Sequence, residues 1–123
     1  MFVHRQADCP EFIAGDGTVL RELLNPDKHA VAVRYSVAHA TLAQGSSSQL
    51  HYLTTTEVYY ILRGSGRMQI DSETREVFPG DLIYIAPHAK QRITALSSEP
   101  LEFLCIVDPA WRAADEVIMK DEG

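Results

Sequence analysis

Turn chemistry interrupts this sequence every few residues, and the runs left between the interruptions suit strands better than helices. Ala14-Gly15-Asp16-Gly17-Thr18 carries an Asp-Gly pair, a strong hairpin signal, between Phe12-Ile13 and Val19–Leu24. Asn25-Pro26-Asp27 breaks the chain again. Val31–Leu42, Gln49–Leu53, Glu57–Arg63, Arg67–Ile70, Arg75–Phe78, Leu82–Ala86, Gln91–Ala95 and Leu101–Val107 follow. Most are rich in β-branched and aromatic residues, and turns such as Gly64-Ser65-Gly66 and Pro79-Gly80-Asp81 separate them. Only the tail, Pro109–Met119, reads as helical. Short strands at this regular spacing predict an all-β sandwich or barrel rather than an α/β fold.

The 123 residues fit one domain, 1–123, with no linker or internal repeat. With 46% hydrophobic and 23% charged residues, the chain can build one ordinary core. Its net charge is −6, and no cluster of Lys and Arg interrupts that acidity. Nucleic-acid binding needs a basic face and is not expected, nor is docking to an anionic membrane. No run approaches the ~18 apolar residues of a membrane helix. The N-terminal stretch lacks the apolar core of a secretory signal. Two cysteines, Cys9 and Cys105, are too few for a disulfide framework, and the expected compartment is the cytoplasm.

The segment Gly45–Gly64 is the richest in chemistry. Side chains alternate faces along a strand, so His51 and Leu53 share one face, and Glu57, Tyr59 and Ile61 share a face of the next strand. If the two strands form a hairpin, His51 and Glu57 meet on one inner wall. One imidazole and one carboxylate suit a borderline divalent ion.

The spacing G-x5-H-x-L-x3-E-x6-G over Gly45–Gly64 resembles the first cupin motif, G-x5-H-x-H-x3-E-x6-G, with one change. Pro79-Gly80-Asp81, followed by Ile85-Ala86-Pro87-His88-Ala89-Lys90-Gln91, resembles the second motif, PGD then I-P-P-G-x-x-H. The resemblance runs from about Ala38 to Val107 and implies a cupin-type double-stranded β-helix, or jelly-roll, with a barrel core over about 31–107. It also implies a divalent metal (Zn, Fe, Mn or Ni) at His51, Glu57 and Gln91. Here Leu53 stands where the family has its second histidine and Gln91 where it has its third. His39, on the preceding strand, is the candidate replacement for the donor lost at Leu53.

Tyr59 shares the parity of Glu57, and His88 replaces a turn glycine at the barrel mouth, so both are candidates for substrate contact. His4 and His29 read as surface residues. The carboxylates Asp16, Asp27, Asp115 and Glu116 read as solvated. Arg34, Arg63 and Arg92 have the parity that points away from the cavity, which disfavours a phosphosugar or dicarboxylate. Two functions remain. One is a metal-dependent lyase, isomerase or dioxygenase acting on a small polar metabolite, with its catalytic residues unassigned. The other is a barrel that binds or senses a small molecule without turnover. A homodimer is expected in either case: Val58, Tyr60 and Leu62 form an apolar face that the core does not need, and Trp111 could anchor a partner.

Overall fold

The structure is a computed structural model that describes residues 1–120. Among the described residues, eleven strands form two antiparallel sheets. They are β1 (Glu11–Ile13), β2 (Val19–Leu24), β3 (Ser36–Leu42), β4 (His51–Leu53), β5 (Thr56–Arg63), β6 (Gly66–Ile70), β7 (Glu73–Val77), β8 (Leu82–Ile85), β9 (Gln91–Ala95), β10 (Leu101–Asp108) and β11 (Glu116–Ile118). The first sheet runs β1-β2-β3-β10-β5-β8 and the second β11-β4-β9-β6-β7. Neighbours such as β3 and β10 are far apart in sequence, so the two sheets wind together as a jelly-roll barrel.

The sequence dictates this through period-2 patterning. In β5, Glu57, Tyr59 and Ile61 are buried while Tyr60 and Leu62 are exposed. In β9, Gln91, Ile93 and Ala95 are buried. The turns are equally specified. Gly64 has φ +75°, and a Cβ there would stand 2.5 Å from the Pro100 carbonyl oxygen, so only glycine closes this corner.

The tail differs from the helical expectation. It makes one 3-10 turn, Ala113–Asp115, and then the strand β11, whose Glu116, Val117 and Ile118 pair with Leu53, Tyr52 and His51 of β4. The reason is tertiary: β4 would otherwise end its sheet with unpaired backbone groups, and Val117-Ile118 is a β-branched pair suited to completing it.

Register along β10 divides the barrel into a filled end and a hollow end. Leu101 faces Leu42, and Phe103 lies between Ala40 and Ile61; with Met68 and Ile93 these residues form the core. Further along β10, Cys105 lies between Ala38 and Tyr59, and Val107 between Ser36 and Glu57. The small side chains of Ser36, Ala38 and Cys105 cannot fill that end, and a cavity of about 250 Å³ remains there.

Candidate functional site

The cavity wall is mostly apolar, with a polar cluster drawn from both sheets. β4 and β5 do not pair as the hairpin the sequence suggests: they lie in different sheets, and His51 and Glu57 reach the same cavity wall from the two sheets. Gln91 of β9 lies opposite His51 in the register. Its amide nitrogen donates to Glu57 Oε1 at 2.9 Å, and its amide oxygen accepts from the Tyr59 hydroxyl at 2.9 Å. His51, Glu57, Tyr59 and Gln91 are all buried. The result is a continuous chain, Tyr59 to Gln91 to Glu57, in which both ends of the amide are engaged.

His51 is oriented from behind. Its Nδ1 lies 2.7 Å from the Gln49 carbonyl oxygen; that oxygen can only accept, so Nδ1 carries the proton. Nε2 is left toward Asp16, whose Oδ2 is 3.4 Å away. Asp16 is itself buried, and its Oδ1 accepts the Thr18 backbone N–H at 3.0 Å.

Burial pushes the Glu57 carboxyl up to about 8. The hydrogen bond from Gln91 opposes that rise, and the Asp16 and Glu116 carboxylates add to it. Glu57 is therefore a neutral acid at pH 7. Burial likewise holds the Tyr59 hydroxyl and the Cys105 thiol well above their usual values, with Glu57 adding to both, so neither is a nucleophile near neutrality.

Three sequence expectations are corrected here. His39 does not reach the cavity. Alternation along β3 turns Ser36 and Ala38 toward the cavity and Ala40 and Leu42 into the core, so His39 faces the other side of the sheet. There its Nε2 lies 3.1 Å from Glu102 Oε1. His88 is exposed outside the cavity, with φ +68°, its ring 5.7 Å from that of Tyr52. Trp111 is no free anchor: it lines the cavity, and its indole N–H donates to Glu116 Oε2 at 2.7 Å.

Two carboxylates read as solvated belong to the wall instead, Asp16 and Glu116. Asp16 lies beside its hairpin glycines, and that turn signal masked any other role. Glu116 reaches the wall only because β11 docks on β4, a pairing between residues more than 60 positions apart. Arg63 points outward to Glu99 and Glu102, and Arg34 to Asp108. Among the described residues that line the cavity there is no Lys or Arg.

The donors do not make a metal set as they stand. Leu53 is buried where the family resemblance calls for a histidine, and the Gln91 amide is bonded at both ends. No three His, Cys, Asp or Glu side chains among the described residues are grouped to hold an ion.

Comparison with known proteins agrees with the architecture. The family described as Cupin domain matches residues 38–107. An uncharacterised protein of Methanocaldococcus jannaschii is 39% identical over 110 residues, 89% of this chain and 87% of that one. An L-ectoine synthase of Mycobacterium sp. (strain KMS) is 32% identical over 80 residues, 63% of this chain and 60% of that enzyme. The crystal structure of a cupin 2 domain-containing protein from Halorhodospira halophila superposes with TM-score 0.71 at 29% identity, covering 78% of this chain and 67% of that one.

Proposed function

The chain belongs to the cupin family, and from that premise we propose that its barrel binds a small metabolite and moves a proton on it without a resident metal. The observation that carries this reading is the pairing of two proton-handling groups in one apolar cavity. Glu57 is an acid held neutral at pH 7, and His51 has its Nδ1 proton fixed on a backbone carbonyl. Such environments divide acid and base roles between neighbouring groups. Glu57 would donate, and His51 would accept at Nε2 with Asp16 beside it. Gln91, tied to Tyr59, fixes the Glu57 carboxyl in place. A volume of about 250 Å³ lies below the usual range of drug-sized pockets, so the ligand is a small one.

A second reading is binding without turnover. It is favoured by the Leu53 and Gln91 positions, where side chains that close a hydrogen-bond chain or fill space replace donors. Both readings are tested on the metabolite that stays with the natively purified protein. Incubation in D2O should exchange deuterium into that metabolite, and Glu57→Gln should abolish the exchange while retaining binding. Binding with neither exchange nor turnover selects the second reading. A stoichiometric metal whose removal abolishes binding overturns the first reading, and a cavity that holds no small molecule overturns both.

A further inference from the structure

The wall of this cavity is electrically one-sided. Asp16, Glu22, Glu57 and Glu116 all line it, and among the described residues no Lys or Arg does. Each of the four carboxylates has at least one partner. Glu22 accepts from Lys28 at 2.7 Å and from the Asn25 amide at 3.1 Å. Glu57 accepts from Gln91, and Asp16 holds the Thr18 N–H and faces His51.

Glu116 is different. Its Oε2 accepts the Trp111 indole N–H, but its Oε1 is buried and has no partner at all. The other buried side-chain oxygen in that state among the described residues is the Thr55 hydroxyl, which is uncharged. A carboxylate oxygen withdrawn from water without a donor is costly, and the cavity is where a donor can enter. The ring of Trp111 lies on the same wall, and aromatic faces attract organic cations.

We propose that the cavity selects a small organic cation, an ammonium group on a short apolar body, whose charge is held by Glu116 with Asp16 while the body lies against the apolar wall. This deepens the proposed function and rests on its premise that the cavity binds a small molecule. The walls suit an organic cation better than a metal ion. No three His, Cys, Asp or Glu side chains among the described residues are grouped to hold an ion, and most of the wall is apolar.

The test uses n-butylammonium, n-butanol and n-butyrate as probes of one length and three charges, at pH 7. Trp111 is the only tryptophan and forms part of the wall, so its fluorescence reads occupancy directly. The expected order is butylammonium tightest, butanol weaker and butyrate excluded. Glu116→Gln keeps an acceptor for the indole and should weaken butylammonium roughly 10- to 100-fold, the usual loss for a charged hydrogen bond, with butanol little changed. Asp16→Asn serves as a second variant and should weaken the same probe. If all three probes bind alike, or butyrate binds best, the cation assignment is overturned and the binding cavity stands. If butylammonium is preferred but neither variant changes it, the carboxylate roles are overturned. If no probe binds, the cavity reading fails and this proposal fails with it.

Discussion

At the scale of single residues, Glu57 makes the sharpest prediction. Its folded value of about 8 lies above its ordinary 4.5, so the native state holds a proton there that the unfolded chain has released at neutral pH. The stability tied to that proton is fully present below pH 4.5 and is lost as pH rises toward 8. Wild type should therefore lose a few kcal/mol between pH 5 and pH 9 through this one group, whereas Glu57→Gln, neutral throughout, should lose less. Urea denaturation of both proteins at the two pH values measures the difference, and parallel curves would show that Glu57 does not carry the titration. His39 makes the contrasting case. It is buried against Glu102 on the far side of β3, so His39→Ala should cost about 1–3 kcal/mol of stability and leave cavity binding unchanged. Loss of binding with intact stability would place its ring in the site after all.

At the scale of elements, the hollow end of the barrel depends on which small residues stand on β3 and β10. Ala38 and Cys105 face each other across the register and both line the cavity. Ala38→Leu should fill the space and abolish probe binding, at a stability change within about 1–3 kcal/mol because the leucine enters a void rather than a packed core. Equilibrium binding monitored by Trp111 fluorescence checks it; unchanged affinity would mean the ligand sits elsewhere. Strands of this kind are legible from the sequence because turns and period-2 patterning are local signals: β2, β5, β9 and β10 lie where the runs between turns predict them, and β5 and β9 alternate in burial. His51, Glu57, Tyr59 and Gln91 are legible for the same reason, as inward positions on strands of the two sheets. His39 was misplaced although parity alone could have excluded it: Ala38 and Ala40 flank it, and only one of two adjacent parities can face inward. The tail was illegible for a different reason. Ala113-Ala114 favours a helix locally, and what makes Glu116–Ile118 a strand is the open edge of β4, invisible within the segment itself. With that strand misread, Glu116 could not be placed in the wall.

For the whole molecule, the question is what covers the outer face of the first sheet. Antiparallel sheets with one face on a core usually turn a polar face outward. Here Val58, Tyr60 and Leu62 of β5 project outward. Their register neighbours are Leu82 and Tyr84 on one side and Leu104 and Ile106 on the other. Leu82 is 65% exposed and Tyr84 60%, and both sit on β8, the free edge of the sheet. A contiguous apolar face beside an unpaired edge marks an association surface. We propose a second copy of the chain as the occupant, since a two-fold axis would set one such face against an identical one and remove both edges from solvent. None of Val58, Tyr60, Leu62, Leu82 and Tyr84 lines the barrel cavity, so pairing here leaves its wall untouched. Static light scattering should give twice the 13.7 kDa chain mass. Leu82→Arg with Tyr84→Glu should shift the protein to monomer while Trp111 still reports butylammonium binding. Monomer mass for the wild type across dilution would sink the dimer, and loss of binding on dissociation would show that the partner completes the site.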